Sequence, residues 1–464
     1  AGIYFNDKIV YGYNYADRNA NIKENKIQSH GMHVAGIVAA NGEKLKGVAP
    51  NAQLAIMRVF SDSAFMGGTN PEIYNKAIDD AVKMGVDSIN MSLGSTSVTD
   101  NRVEDSTNNA LANAQKAGIV VSVAVGNDGF MGFQAKDLPY AKNPDIGLVN
   151  SPAVADISLA VASVDNTRIK QKGISVKENG KEVKKIVFRA GETKDSSTKF
   201  SNYDYPFVHV FEGYDEDYVN IGRLDGKIAL IKRGDKEGRH DEITFSKKVK
   251  TAQNHGAIAA IIYNNEDDKT LVSMAGFDEE GVSIPTAFIT KSDGEFLIEH
   301  KNATLEVETR ETEVDNPTAW QVSNFSSWGL SQEGNMKPDI SAPGGSINSS
   351  FNNNEYGYMS GTSMAAPHVA GGIAVVKEYV EQEFPNVIGV EKHRLIKNLL
   401  MSSARPYRNA STKALTSPRS QGAGLMQLDN ATTSKVVIEG TNDISSINLG
   451  NIKSNDVVIK GKLH

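Results

Sequence analysis

The sequence has no cysteine in 464 residues. No disulfide can frame the fold, which leaves export open but removes the usual covalent mark of a eukaryotic secreted domain. Long apolar runs are also missing: none approaches the roughly 18 residues that cross a bilayer. Basic excess is absent, because 49 Lys and Arg face 56 Asp and Glu for a net charge of −7. That mild acidity argues against a nucleic-acid groove or a patch for anionic membranes. The first residues, AGIYFNDKIVYGYNYAD, have neither the basic n-region nor the apolar h-region of a signal peptide. They lack an initiator Met as well, and the expectation is a chain that begins inside a longer precursor. Repeats and low-complexity tracts are absent too. What remains is ordinary globular material, 39% apolar and 23% charged, enough for roughly three modules at about 150 residues each.

Apolar spacing at Ile73, Tyr74, Ala77, Ile78, Ala81 and Val82 predicts an amphipathic helix over 73–82, with Gly85 as its C-terminal cap. The strand VDSINMSL follows, then a helix over 105–117 ending at Gly118, then the buried strand IVVSVAVGN. This alternation predicts an α/β fold, a parallel sheet with helices on both faces, whose ligands sit at the carboxyl ends of the strands. Those ends are Ser92-Leu93-Gly94 and Gly126-Asn127. After about residue 166 the texture turns polar and Lys-rich. A small α/β pattern then occupies 168–318, with strands GKIALIKRG, AIAAIIYNN and IPTAFIT and a helix around 243–254. The first texture resumes at WQVSNFSSWG, with helices expected over 364–379 and 390–402. The tail carries three short strand-like pieces, SKVVIEG, ISSINLG and DVVIKG. The domain reading is one domain in two parts, 1–167 and 319–429, an insertion at 168–318 between them, and the start of a β module at 430–464.

Three stretches carry chemistry. In SGTSMAAPHVAGG, Ser363 stands at the mouth of a helix, where unpaired N–H groups and the helix dipole favour negative charge. A nucleophilic serine suits that setting, because its attack on a carbonyl creates an oxyanion. A plain helix cap is the other use of serine there. In SHGMHVAGI, His30 and His33 offer a base that titrates near neutral pH. As a metal pair they would need further ligands, and no H-E-x-x-H or cysteine pattern supplies them. In VAVGNDG, Asn127 ends a buried strand and offers an amide donor, although Asn-Asp-Gly is also turn chemistry. The three lie in one α/β domain, each at a strand end or helix start, which favours reading them together.

SHGMHVAGIVAANG, GVAPNAQLAIMRVF, SINMSLG, VAVGNDG, KPDISAPGG and SGTSMAAPHVAG occur in the order found in subtilisin-like serine proteases, which this chain resembles over 1–166 and 319–427. The insertion resembles a protease-associated domain, and the tail the first strands of a fibronectin-type module. With NFSSWG on re-entry and SPRSQGAGLMQL near the end, the whole is similar to the streptococcal cell-envelope group, which includes C5a peptidases and lactocepins. The resemblance implies Ser363 as nucleophile, His30 as general base, and Asn127 with the Ser363 backbone N–H as oxyanion hole. It implies that Ser92, Leu93 and Gly94 pair with substrate as an added strand, with Gly67 and Gly68 flanking it on the other side. Val123, Ala124 and Gly126 would help wall the pocket for the residue before the cut. His33 and His368 match positions that pack structurally, and Met32 stands where the family usually has Thr. No metal is assigned: the loop NGEKLKG, near which some families of this type bind calcium, holds one acid, Glu43, so a structural calcium has no residues that specify it.

One element of the family pattern is missing. No Asp-Ser/Thr-Gly precedes His30, and Asp7 and Asp17 are poor substitutes. The expectation is that the acid lies upstream of residue 1, that the upstream segment completes the site and adds a central strand, and that this chain alone is nearly inactive. The functional reading is a serine endopeptidase acting on extended protein or peptide segments. It needs no cofactor, binds no nucleic acid, has no membrane span in this chain, and is secreted and wall-anchored in a Gram-positive bacterium. The alternative is a non-catalytic surface binding protein, a pseudoprotease or adhesin. A lipase or esterase is disfavoured because no G-x-S-x-G occurs.

Overall fold

The computed structural model describes the chain except residues 1, 24–28, 62–67, 97–100, 130–148, 172, 192–202, 235–242, 267–270, 272–273, 275–276, 278–279, 308–310, 332–333, 411, 441–444, 447–461 and 464. The chain divides into two units, one of residues 1–166, 320–409 and 414–464, the other of 167–319 and 410–413.

The first unit is built on parallel strands. In chain order its elements begin β1 (Ile9–Asn14), α1 (His30–Ala39), β2 (Leu54–Arg58), α2 (Pro71–Met84), β3 (Ser88–Met91), α3 (Asn101–Lys116), β4 (Val120–Ala124) and β5 (Leu159–Asp165). They continue with β6 (Ile340–Gly345), β7 (Ile347–Ser350), β8 (Tyr356–Met359), α4 (Thr362–Glu383) and α5 (Gly389–Ser402). Strands β6, β5, β4 and β3 lie side by side in that order, all parallel. Every residue of β4 is buried, as is every residue of β5 but the last, as expected of strands covered on both faces. The faces alternate residue by residue. Val120, Leu159, Val161 and Ile340 pack against Ala365, Ala366, Val369 and Ile373 of α4. Val121, Val123, Ala160 and Ala162 face the other way, against Ile78 of α2 and Leu111 and Ala114 of α3.

Helix boundaries follow from capping as well as from apolar spacing. Helix α2 starts two residues before the expected 73, because the Asn70 side chain accepts from Ile73 N–H and Pro71 opens the first turn. It ends at Gly85, whose φ of 68° is the left-handed cap that glycine adopts without strain. Helix α4 is crowded with Gly and Ala because other backbone comes close. A Cβ on Gly371 would meet Val48 Cβ at 2.7 Å, while Ser122 Oγ donates to Ala366 O and Ser88 Oγ to Ala370 O.

Strands β1 and β2 form a separate parallel pair. Among the described residues β2 pairs only with β1, and β3 pairs only with β4. All five residues of β2 and the first three of β3 are half-buried, although the sequences LAIMR and SINM suit a core. One turn of α4 touches the start of β3 and the segment ahead of β2: Ala370 O takes the Ser88 hydroxyl, and Gly371 faces Val48.

The second unit has its own sheet. Parallel strands Tyr205–His209, Ile228–Lys232, Ala259–Tyr263 and Thr286–Ile289 lie in sequence order. Antiparallel strands Thr304–Val307 and Arg189–Ala190 close its two sides, the former carrying the hairpin Gly173–Glu178 and Lys181–Val187. Ile228, Leu230, Ala259 and Ile261 fill one core, and Ala229, Ile231, Ala260 and Ile262 the other. In the tail, Ile438–Glu439 pairs with Lys462–Leu463; most of ISSINLG and all of DVVIKG lie outside the described residues.

Beneath the first sheet lies a buried ionic cluster. Asp339 Oδ2 accepts from Ala160 N–H and Lys337 Nζ, both at 2.8 Å, and Lys397 Nζ stands 3.8 Å away. Lys397 Nζ donates to Ser158 O and Asp156 O. Burial pushes the Asp339 carboxyl up, but the two ammonium groups and the hydrogen bonds outweigh it and hold it below the usual range. Burial pushes Lys397 down to about 8 despite the attraction of Asp339. A lysine with a depressed folded pKa binds fewer protons folded than unfolded, so its cost is full below about 8 and fades as pH climbs toward the free-lysine value of about 10.4. The native chain should therefore gain stability relative to Lys397→Met between about pH 8 and 10, as read by denaturant unfolding of both. A constant difference would show that Lys397 stays charged in the folded chain.

Candidate active site

The site region lies at the carboxyl ends of β3 and β4, against the first turn of α4. Thr362 is the first residue of α4 and Ser363 the second. Asn127 follows β4 and is exposed. Its Oδ1 accepts twice from Thr362, from the backbone N–H at 2.9 Å and from Oγ1 at 3.0 Å. Thr362 Oγ1 in turn accepts from Gly126 N–H at 3.2 Å. With its oxygen committed to two donors, the Asn127 amide must present Nδ2 as its outward donor. Both Asn127 Nδ2 and the Ser363 backbone nitrogen would lie 3.6 Å from a Cβ at Gly361, so two N–H donors flank one small space.

Ser363 is bound to β3's extension in both directions. Its Oγ donates to Ser92 O at 3.4 Å, and Ser92 Oγ donates to Ser363 O at 2.7 Å. The second bond has a covalent cause. In a helix the carbonyl of residue i takes its bond from the N–H of residue i+4, and the residue four beyond Ser363 is Pro367, which has none. Ser92 satisfies the carbonyl that proline leaves open.

His30 opens α1 and is half-buried. Burial shifts its imidazole down from the usual histidine range, and among the described residues no carboxylate figures in the groups that move it. His33, one turn on, is fully buried and donates Nε2–H to Ile347 O at 2.9 Å and Gly357 O at 3.1 Å, tying α1 to β7 and β8. His368 donates Nδ1–H to Met364 O at 2.8 Å within α4. Ile37 of α1 and Met364 of α4 share one small apolar cluster, so the two helices are packed together.

Other residues singled out in the sequence fall as follows. Leu93 is half-buried and Gly94 exposed beyond the end of β3. Gly68 bridges Ser61, and Gly67 lies outside the described residues. Val123 and Ala124 have their side chains packed into the two faces of the sheet, so any wall they offer is backbone. Gly126, at φ 113°, is buried beside Asn127. Sequence reasoning missed Thr362, although it sits in the quoted SGTS motif, and it missed Pro367 as the reason for Ser92. Among the described residues no group of three or more His, Cys, Asp or Glu could hold a metal ion.

A serine, an amide held nitrogen-outward and a helix N-terminus thus meet at the ends of parallel strands. Residues 4–424 match the subtilase family, Peptidase S8, and the chain belongs to it. Its fold is the subtilisin-like α/β fold with a mostly parallel central sheet. It is 34% identical over 460 residues to a C5a peptidase of Streptococcus pyogenes serotype M6, an alignment covering 97% of this chain and 37% of that protein. To the PII-type proteinase of Lactococcus lactis subsp. cremoris it is 33% identical over 458 residues, covering 93% of this chain and 23% of that protein. The PI-type proteinase of the same organism gives 33% over 462 residues, with the same coverage of 93% and 23%. The chain thus spans little more than a third of the length of the C5a peptidase and about a quarter of the lactococcal proteinases.

Removing the Ser92 hydroxyl should expose the proline defect. Ser92→Ala leaves the Ser363 carbonyl without its donor and should cost about 1–3 kcal/mol in denaturant unfolding. Ser92→Thr, which keeps the hydroxyl, should recover most of that loss; equal stability of all three would dismiss the bond as a structural element.

Proposed function

We propose that the chain is the body of a serine endopeptidase that hydrolyses peptide bonds in extended protein segments. Ser363 Oγ attacks the carbonyl carbon, His30 takes its proton, and the oxyanion is held by Asn127 Nδ2 and the Ser363 N–H. His30 then returns the proton to the leaving amine, and water repeats the sequence on the acyl-enzyme to free the serine. The observation that carries this reading is the pair of hydrogen bonds that Thr362 donates to Asn127 Oδ1, which fixes the donor outward before substrate arrives. A preset donor lowers the barrier because nothing has to reorient as charge develops.

The proposal includes an acid from outside this sequence. An extended segment carrying an aspartate would lie between the open edges of β2 and β3, with its carboxylate beside His30. Support comes, among the described residues, from the unshared edges, the half-buried apolar residues along them, and the lack of a carboxylate acting on His30. We assign the insertion, residues 168–318, to a protease-associated domain that gates or selects substrates, and the tail, 430–464, to the start of a fibronectin-type module. We further propose that the protein works outside the cell, anchored to the wall of a Gram-positive bacterium, as an enzyme with protein substrates. A His30 with no carboxylate acting on it among the described residues also favours a second reading, in which the chain is a non-catalytic surface binding protein.

Two measurements separate these. Adding the acid-bearing segment, fused or as a peptide, should speed fluorophosphonate labelling of Ser363 and peptide hydrolysis by up to about 10⁴-fold, a magnitude borrowed from a subtilisin in the same family. The carboxylate should also raise the depressed His30 pKa, moving the acid limb of the labelling profile to higher pH. No labelling with the segment present would leave the binding reading. Full labelling without it would mean an acid within this sequence. In the completed enzyme, Thr362→Val should lower kcat by about tenfold with little change in KM, because it removes one of the two hydrogen bonds that hold the Asn127 amide nitrogen-outward.

A further inference from the structure

The stretch SNFSS, residues 323–327, holds the backbone on both sides of Asn127. Ser327 N–H donates to Gly126 O at 2.9 Å, and Ser327 Oγ accepts from Asp128 N–H at 2.9 Å. One residue further, Gly129 N–H donates to Phe325 O at 2.9 Å. Asn127 is thus strung between two residues pinned to one serine, and a slide of 323–327 would carry its amide along.

That stretch takes its own register from β5. Ser323 N–H donates to Ser163 O at 2.9 Å, and Ser163 N–H donates to Ser326 Oγ at 3.1 Å. Beside these bonds runs a chain of hydroxyls. Ser323 Oγ donates to Asp165 Oδ1 at 2.6 Å and lies 2.8 Å from Ser163 Oγ. A serine has one O–H, and Ser323 gives its own to the carboxylate, so Ser163 is the donor in the second bond. Both serines are buried, where a bond to a carboxylate is strong and polarises the next.

Ser163 also faces the other half of the oxyanion hole. Gly344 stands at a register shift in β6. A Cβ there would overlap Ser163 Oγ and come within 2.6 Å of Gly361 O, so the hydroxyl packs directly on Gly344. Gly344 O accepts from Gly361 N–H at 2.9 Å, and Gly361 is the N-cap of α4, two residues before Ser363. Ser163 therefore reaches Asn127 through Ser326 and Ser327, and the Ser363 N–H through Gly344 and Gly361.

We propose that Ser163, held by Ser323 and Asp165, is a positioning residue that sets the separation of the two oxyanion donors, Asn127 Nδ2 and Ser363 N–H. The inference rests on the peptidase reading. Donors at a fixed spacing stabilise the charge that develops in the transition state, so loosening Ser163 weakens transition-state binding and leaves ground-state binding alone.

The test is steady-state kinetics of the chain with the acid-bearing segment supplied, its active sites counted by fluorophosphonate titration. Ser163→Ala, Ser323→Ala and Ser326→Ala should each lower kcat about tenfold with KM within about twofold, and each should weaken binding of a peptide boronic acid by the same factor. Combining Ser163→Ala with Ser323→Ala should cost no more than either alone, because both break one chain. Hydroxyls that serve stability alone would lower the unfolding midpoint and leave kcat per active site unchanged. That result overturns the inference, as does a rise in KM with no fall in kcat. Where the variants fail to fold, the boronic acid complex of the native chain decides. The bonds from Ser163 to Asp165 and both Ser327 bonds must persist in it, and their loss overturns the inference. A native chain that hydrolyses peptide, with variants that match it, sinks this inference and spares the peptidase reading; a native chain that neither labels nor hydrolyses sinks both.

Discussion

The arrangement depends on how closely the first turn of α4 approaches the ends of β3 and β4. Small residues permit the approach, and four hydrogen bonds fix it: two from Thr362 to Asn127, one from Ser92 to the Ser363 carbonyl, and one from Gly126 to Thr362. A Cβ at Gly344 of β6 would come within 2.6 Å of Gly361 O at the start of α4, and one at Gly371 further along the helix within 2.7 Å of Val48. The sequence SGTSMAAPHVAGG is thus a packing solution before it is a chemical one. Its glycines and alanines let a helix lie on a sheet at backbone distance, and its polar residues satisfy groups that the approach would otherwise strand.

Pro367 illustrates how the two demands meet. A proline one turn into a helix normally weakens it by removing a donor. Here the carbonyl it releases belongs to Ser363, and the group that takes over is a hydroxyl on the neighbouring strand end. A local defect in the helix becomes a tether that holds the serine against β3. Asn127 is oriented in the same way, by neighbours in the fold and not by substrate.

Much of the first unit was legible because its strands are continuous apolar runs and its helices keep a helical period. VVSVA reads as a buried strand and is buried throughout. The ends of helices were less legible, since Asn70 and Pro71 extend α2 through capping chemistry that apolar spacing does not register. At the site, the motif residues stand out by their types, whereas Thr362 matters only through a partner distant in sequence. Thr362 meets Asn127 across 235 positions, a pairing no local pattern reveals. The unshared edges of β2 and β3 have the same origin: strand pairing is a property of the assembled sheet, and each strand by itself reads as core.

The central claim is that Asn127 and the Ser363 backbone form a preset cradle for an oxyanion. A crystal structure of the chain, completed by an acid-bearing segment and treated with a peptide boronic acid, tests it directly. The account predicts boron bonded to Ser363 Oγ, with one boronate oxygen in hydrogen-bond reach of both Asn127 Nδ2 and Ser363 N–H, and Thr362 still bonded to Asn127 Oδ1. A boronate attached elsewhere, or an Asn127 amide turned away from the adduct, would contradict it.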